Sequence, residues 1–119
     1  MFWVYVRMDN HHGCSVVELH GELDLATGEK LSDLLAATVA IQKVTIVDLA
    51  GLDFVDCGGM RALVRAHGHA GGAGHALLLA APGRQARLIL KMTGTARLFS
   101  TFPSVAAAAD CGINLLICA

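Results

Sequence analysis

The residues of this chain best suited to chemistry are a thiol and three carboxylates near the end of one apolar strand. Residues 44–47 are all β-branched and mostly apolar, which predicts a buried strand, and residues 48–55 are expected to form a loop. Asp56 stands before a helical pattern, where its carboxylate can accept from the first free backbone N–H groups. Cys57 follows directly, so its thiol is expected at the positively polarised end of a helix, where a thiolate is stabilised.

This arrangement is compatible with catalysis, with redox chemistry and with binding. Asp48, Asp53 and Asp56 would lie near the carboxyl end of a central strand, where α/β proteins bind ligands. No histidine, nucleophile motif or metal-ligand set accompanies them in the sequence, so we expect no enzyme, no metal and no cofactor. A redox-active Cys57 stays open as an alternative, although Asp56 disfavours the thiolate and no resolving cysteine is near in sequence.

Two glycines at the start of the helix favour the binding interpretation. The helix itself is indicated by residues at helical spacing, which are Met60, Leu63, Val64 and His67. Gly58 and Gly59 each cost roughly 1 kcal/mol relative to alanine inside a helix. We therefore interpret them as bare backbone that a partner approaches closely. A bulky side chain at Gly59 is then predicted to block binding with little loss of stability.

The overall composition is that of a single folded domain covering residues 1–119. Hydrophobic residues make up 55% of the chain and charged residues 16%, which excludes a disordered protein. The formal net charge of −1 provides no basic surface for nucleic acid. No apolar run reaches the roughly 18–20 residues needed to cross a bilayer, and no secretory signal is recognisable, so we expect no membrane insertion.

The cysteines and histidines are not predicted to form a disulfide or metal framework. The four cysteines contain no C-x-x-C pair and stand in a chain large enough to fold around a core. We interpret them as reduced thiols in a cytoplasmic protein. The six histidines include the pairs His11-His12 and His67-x-His69, neither of which has a partner at a zinc-like spacing. We interpret these histidines as ordinary surface residues.

Strand and helix patterns alternate along the chain. Strands are predicted at 2–8 and 14–20, joined into a hairpin by a turn at 9–13, and are followed by a helix that Thr27 caps and that has Glu29 in its first turn. The glycine-rich residues 67–74 are expected to end the central helix. The remaining predicted elements are a strand at 76–81, a helix at 84–93, an extended segment at 98–102 and an alanine-rich helix from 103 to about 112.

The resulting order, β-β-α-β-α-β-α-β-α, predicts an α/β fold. We expect a central mixed β-sheet of four to five strands with an N-terminal antiparallel hairpin and about four helices. The apolar tail, residues 113–119, is too short to span a membrane. It could add an edge strand, cover the sheet or pair two copies into a homodimer.

At the level of motifs, the chain resembles the STAS domain, the fold of bacterial anti-sigma factor antagonists and of the cytoplasmic tails of sulphate transporters. The resemblance covers residues 16–110, and stand-alone chains of this size are more similar to the antagonists. The motifs that carry it are Gly21-Glu22-Leu23-Asp24, then Val47-Asp48-Leu49-Ala50-Gly51-Leu52-Asp53-Phe54-Val55-Asp56, and later Met92-Thr93-Gly94 with Leu98-Phe99.

The resemblance implies a partner and a switch. In antagonists of this family a serine at the start of the central helix is phosphorylated by an anti-sigma factor that is also a serine kinase of the ATP-binding, histidine-kinase-like type. The unphosphorylated antagonist binds that kinase and releases a sigma factor. The residues that the resemblance places in this partner-binding site are Glu22, Asp24, Asp56, Cys57, Gly58, Gly59 and Met60.

This sequence departs from the family at the phosphoacceptor position itself. Cys57 occupies the place of the serine, and a serine kinase is not expected to phosphorylate a thiol. The resemblance therefore implies an antagonist-like module without the phosphorylation switch. An alternative within the same family is an accessory subunit of a lipid-transport ABC system or a scaffold of a sensory assembly, neither of which needs a phosphoacceptor.

Overall fold

The computed structural model describes residues 1–9 and 13–118 of the chain. It confirms the predicted alternation of strands and helices. In chain order, the elements are β1 (Phe2–Asp9), β2 (Cys14–Leu23), α1 (Leu25–Ile41), β3 (Val44–Val55), α2 (Cys57–Gly72), β4 (Ala76–Ala80), α3 (Arg84–Met92), a short 3₁₀ helix (Thr95–Arg97), β5 (Ser100–Phe102) and α4 (Val105–Cys118).

The five strands form one mixed sheet in the order β1-β2-β3-β4-β5. β1 and β2 are antiparallel, which confirms the predicted hairpin, and the remaining neighbours are parallel. The turn predicted between the two strands of the hairpin falls partly on residues 10–12, which lie outside the described residues. The predicted fold class, a mixed sheet with four α-helices, is confirmed.

The helices pack on both faces of the sheet and so make two hydrophobic clusters. On one face, α1 and α2 contribute Leu31, Leu35 and Leu63, which pack against Val47 and Leu49 of β3. On the other face, the first half of α4 packs through small residues against one end of the sheet; the buried residues of this second cluster are Cys14, Val16, Val44, Ile46, Leu78, Ala80, Ala108 and Ala109. α4 packs against β2, β3, β4 and β5.

β2 and β3 extend by three or more residues beyond their predicted ends, because backbone pairing continues through residues with poor strand propensity. The loop predicted at 48–55 is wrong: β3 runs to Val55, and its last residue pairs with Leu23 at the end of β2. The register shifts along this stretch, and the Asp48 carboxylate accepts from the Ala50 N–H at 3.0 Å, which satisfies the irregular backbone. Asp48 is therefore a local hydrogen-bonding residue.

Two helix boundaries also differ from the predictions. α1 begins at Leu25, so Asp24 is its N-cap, Thr27 is the third helical residue and Glu29 lies beyond the first turn. The predicted end of α2 within residues 67–74 is confirmed, since α2 ends at Gly72 and the chain turns at Gly74, which has a φ of +74°. α4 continues to Cys118, so the predicted end near residue 112 is wrong and the tail is helical, not an edge strand. Whether the tail pairs two copies stays a prediction.

Candidate functional site

Two helices begin side by side at the carboxyl ends of β2 and β3. Leu23 and Val55 are paired as the last residues of these neighbouring parallel strands. The next residue in each case is an aspartate that caps a helix: Asp24 caps α1 and Asp56 caps α2. We call this region, residues 22–25 and 54–59, the helix-start corner. It brings together residues that are far apart in sequence and exposes one end of each helix dipole.

The α1 cap is reciprocal. An Asp24 carboxylate oxygen accepts from the Thr27 backbone N–H at 2.9 Å, and the Thr27 hydroxyl accepts from the Asp24 N–H at 2.9 Å. The Thr27 hydroxyl also donates to the same carboxylate oxygen at 3.0 Å. These bonds, first the one from the Thr27 backbone and then the one from its hydroxyl, lower the pKa of Asp24 below its ordinary value of 3.8. Asp24 is thus held ionised at the start of the helix.

Asp56 joins α2 to the neighbouring strand end. Its carboxylate accepts from the Gly59 N–H at 2.8 Å, and its own backbone N–H donates to the Leu23 carbonyl at 3.1 Å. The predicted N-cap role of Asp56 is therefore confirmed. Both aspartates of the corner are engaged by backbone groups, so their positions relative to one another are fixed.

The end of β3 is also held from its other side, by a residue that the sequence analysis did not identify. β4 stops before the end of β3, since its last residue, Ala80, pairs with Asp48. In its place the Gln85 side chain bonds the Val55 backbone twice: it accepts from the Val55 N–H at 2.9 Å and donates to the Val55 carbonyl at 2.7 Å. Val55 directly precedes Asp56, so Gln85 positions the start of α2.

The glycines of the corner allow the two helix starts to pack against each other, which corrects their interpretation as backbone left bare for a partner. A Cβ on Gly59 would lie 2.5 Å from the Leu23 carbonyl oxygen. A Cβ on Gly58 would lie 2.9 Å from the Leu25 Cβ. Gly59 is buried and Gly58 half-buried. The backbone that comes close to them is the β2–α1 junction of the same chain.

The predicted site residues divide into two groups. Glu22 and Cys57 are exposed, and Asp24 and Asp56 are half-buried. Met60 is only 1% exposed and belongs to the core. The structure therefore brings Glu22, Asp24, Asp56 and Cys57 together at one surface with Gly58 at its edge, whereas Gly59 and Met60 support that surface from below.

Several residues of this surface were missed by the sequence analysis. Leu25, the first residue of α1, is 56% exposed, and Phe54 near the end of β3 is 43% exposed. A groove of about 120 Å³ between α1 and α2 is lined by Leu25, Gly28, Glu29, Gly58, Arg61, Ala62 and Arg65. The arginines follow Cys57 at a spacing of four and eight residues, which places all three on one helix face. This spacing from Cys57 was the signal in the sequence that could have identified the two arginines.

The corner presents groups of several chemical kinds at one surface. It combines two exposed apolar side chains, a free thiol and two carboxylates that cap helices, and it adjoins a groove lined by two arginines and Glu29. Among residues 1–9 and 13–118, no three histidine, cysteine or acidic residues lie close enough together to hold a metal ion. A larger cavity of about 490 Å³ lies away from the corner, between α3, the 3₁₀ helix and β5, and contains none of the predicted site residues.

No helix within the described part of the chain combines the length and the hydropathy needed to cross a membrane. This statement applies to residues 1–9 and 13–118.

Comparison with solved structures places this fold among known proteins. An anti-sigma factor antagonist from Mycobacterium paratuberculosis superimposes with a TM-score of 0.82 at 23% identity, covering 96% of this chain and 95% of that one. The antagonist SpoIIAA in its unphosphorylated form gives a TM-score of 0.75 at 17% identity, covering 91% and 94%. A sulfate transporter family protein from Wolinella succinogenes gives 0.78 at 20% identity, covering 88% of each chain.

These sequence identities are low, so the solved structures show a shared fold and nothing more specific. No curated protein sequence matches the chain. The decisive comparison is with family models: the model of the STAS domain matches residues 5–108, which is most of the chain. The protein is therefore a member of the STAS domain family.

Proposed function

We propose that this STAS domain is an anti-sigma factor antagonist-like module that binds an anti-sigma factor kinase and so releases a sigma factor. The partner is a serine kinase of the ATP-binding, histidine-kinase-like type, and the place of action is the cytoplasm. The helix-start corner is its docking surface. The observation that carries the proposal is the exposure of Cys57 at the first residue of α2, directly after the Asp56 cap, within a fold that antagonist structures share.

The same observation supports the absence of the phosphorylation switch. SpoIIAA is known in an unphosphorylated and a phosphorylated form, both of which share this fold. A phosphate on residue 57 would add about −2 charge beside Asp56 and in front of α2. A thiol in that position is not a substrate for a serine kinase. The proposed module therefore stays competent to bind in the presence of ATP.

Three aspartates in or near the corner support a binding function over catalysis. Asp24 and Asp56 accept from backbone N–H groups of their helices, and Asp48 accepts from Ala50. Because each of these carboxylates is engaged in holding the backbone, none is placed as a free general base. We therefore propose that the protein acts by association and has no catalytic activity of its own.

The experiment that tests this function is a binding assay against the anti-sigma factor kinases encoded in the same genome, with and without ATP. Wild-type protein is expected to be retained under both conditions. The Cys57→Ser variant is expected to bind without ATP and to be released and phosphorylated with it. The serine variant is the matched control, since it restores the hydroxyl by changing one atom.

Two outcomes would overturn the proposal. Retention of neither form by any of these kinases would favour the alternative of an accessory subunit, to be tested next with an ABC-type ATPase. Release of the wild type with ATP, with a phosphate on Cys57 in the intact mass, would contradict the absence of a switch.

A further inference from the structure

β1 is a long sheet edge with few of the features that normally protect such an edge: two of its eight residues, Arg7 and Asp9, are charged. It has eight residues, whereas β5 at the opposite edge has three. Among the described residues it pairs only with β2, in one uninterrupted register. Its sequence, FWVYVRMD, contains no proline, glycine or lysine. Long, regular and apolar edges pair readily with other strands, and proteins usually blunt them by proline, lysine or bulges. This edge is therefore suited to pairing.

The side chains of β1 are unusually apolar for an exposed strand. Tyr5 is 59% exposed, Val6 50% and Met8 49%, and Trp3 is also exposed. The aromatic pair is fixed in place by His20 of β2. The His20 ring stacks on Trp3 with centroids 5.2 Å apart and meets Tyr5 edge-on at 5.6 Å. A preorganised aromatic surface loses little conformational freedom when it binds.

The backbone of β1 determines which residues can bond a further strand. The Glu22 N–H donates to the Met1 carbonyl at 3.2 Å, one step beyond the pair Phe2↔Gly21. In an antiparallel ladder, hydrogen-bonded pairs alternate with pairs that do not bond. The odd-numbered residues of β1 therefore face β2. The even-numbered residues direct their N–H and C=O groups to the free edge, and these residues are Phe2, Val4, Val6 and Met8.

We propose that a second copy of this chain covers this edge, with the two β1 strands antiparallel across a two-fold axis at Tyr5. In this register Val4 lies opposite Val6 and Phe2 lies opposite Met8. Every outward-facing backbone group then pairs with an outward-facing group of the other copy. The two five-stranded sheets become one sheet of ten strands.

The side chains of β1 match their counterparts in this register. On one face Tyr5 meets Tyr5 at the axis, and Trp3 lies opposite Arg7, a cation–aromatic pair. On the other face valine meets valine and phenylalanine meets methionine. No like charges oppose each other across residues 2–8. This self-complementarity is what an isologous interface requires, and it distinguishes a second copy from an unrelated strand.

Other registers between the two β1 strands would form fewer backbone hydrogen bonds. A shift of one residue sets outward-facing groups against inward-facing ones, so the ladder cannot form. A shift of two residues leaves an outward-facing end residue, Phe2 or Met8, without a partner among residues 2–8. The proposed interface also differs from the tail, residues 113–119, as a route to a homodimer. It does not depend on the proposed function.

The first test uses charge at the axis and measures mass by light scattering after gel filtration. Wild type is expected at twice the chain mass of 12.4 kDa. Tyr5→Lys and Tyr5→Glu should each be monomeric, because two like charges would meet across the axis. An equimolar mixture of the two variants should restore the dimer. Leu88→Lys, at an exposed apolar position on α3, is the control and should stay dimeric.

The second test is amide hydrogen exchange of wild type, followed by NMR. The amides of Phe2, Val4, Val6 and Met8 should become protected as protein concentration rises. Those of Trp3, Tyr5 and Arg7 should be protected at all concentrations, because β2 already bonds them. Trp3 is the single tryptophan, so its fluorescence should change over the same concentration range.

Three results would overturn the proposal. Wild type could be monomeric at about 1 mM, beyond the range in which specific dimers of useful affinity form. A dimer could form with the even-numbered amides still unprotected, which would assign it to another surface such as the tail. The two Tyr5 variants could fail to pair when mixed, although each keeps the wild-type circular dichroism spectrum and melting temperature.

Discussion

Gly59 lies so close to the Leu23 carbonyl that position 59 has no room for a side chain. A Cβ at position 59 would be 2.5 Å from the carbonyl oxygen and 2.7 Å from the Leu23 Cγ. The same carbonyl accepts from the Asp56 N–H. The contact therefore couples the end of β2 to the first turn of α2. It shows that this glycine is needed for packing within the domain.

Gly59→Ala is expected to destabilise the fold. The added methyl group must displace backbone, so we expect a loss of about 1–3 kcal/mol in the free energy of unfolding, as for overpacked cores. The measurement is urea denaturation. The control is Gly68→Ala on the same helix, where a Cβ would meet no atom within 4 Å. That variant should gain about 0.5–1 kcal/mol.

This expectation replaces the sequence-based one. A bulky residue at Gly59 was predicted to block binding with little loss of stability, and the burial of Gly59 contradicts the second half of that prediction. If Gly59→Ala unfolds at the wild-type urea concentration, the close contact with Leu23 does not constrain the fold.

Gln85→Ala should also destabilise the domain, although the side chain lies far from Val55 in sequence. The substitution leaves the N–H and C=O of a buried residue without their partner. An unsatisfied buried polar group costs about 1–3 kcal/mol, so we expect a loss of at least that size in the free energy of unfolding. Arg84→Ala, at the exposed neighbouring position, is the control and should stay within about 0.5 kcal/mol.

The order of the strands and helices could be predicted because each element is indicated by a pattern among residues close in sequence. Alternating or β-branched runs indicate strands, and the spacing of Met60, Leu63 and Val64 indicates a helix face. The Asp56 cap was likewise visible, since an aspartate preceded a helical pattern. These features depend on residues within one or two turns of each other.

The errors concern residues whose role depends on distant parts of the chain. Residues 48–53 contain aspartate and glycine and look like a turn, but pairing with β2 makes them a strand. The sequence contains a glycine at position 59, but it does not show which distant residue packs too closely for a side chain to fit there. The pairing of Gln85 with Val55 spans 30 residues and has no local signal. Tertiary contacts override local propensity in each case.

Asp24 should make stability depend on pH in the acid range. Its folded pKa is lowered by the bonds from Thr27, so ionised Asp24 contributes stability above its unfolded value of 3.8. That contribution is lost as pH falls through the lowered folded value. Asparagine caps helices about as well but does not titrate. The urea midpoint of wild type minus that of Asp24→Asn should therefore decrease as the pH is lowered from 7 to 3.

Thr27→Ala separates the two causes of this effect. It removes the hydroxyl bond and keeps the backbone N–H bond to Asp24, which is the larger cause of the lowered pKa. This variant is expected to retain part of the pH dependence. An equal urea midpoint difference at pH 7 and pH 3 between wild type and Asp24→Asn would show that the capping box does not stabilise the charged form.

Cys57→Asp should separate stability from binding. A negative charge at the first residue of α2 interacts favourably with the helix dipole, typically by 0.3–1 kcal/mol, while Asp56 opposes it. The free energy of unfolding is therefore expected to change by less than about 1 kcal/mol. Binding to the proposed kinase partner should weaken roughly tenfold or more, because the charge imitates phosphorylation. Calorimetric titration beside neutral Cys57→Ser measures the difference, and equal affinities would contradict the assignment of this surface.

Arg61→Glu and Arg65→Glu should slow association with the same partner. Both side chains are exposed and line the groove beside Leu25, on the helix face that carries Cys57. Charges at the rim of an interface act mainly on the association rate, which depends on salt. We expect a decrease of about three- to tenfold at low salt that fades as the ionic strength rises. Arg84→Glu on α3 changes the net charge equally, so an equal decrease with that control would show that the groove has no special role.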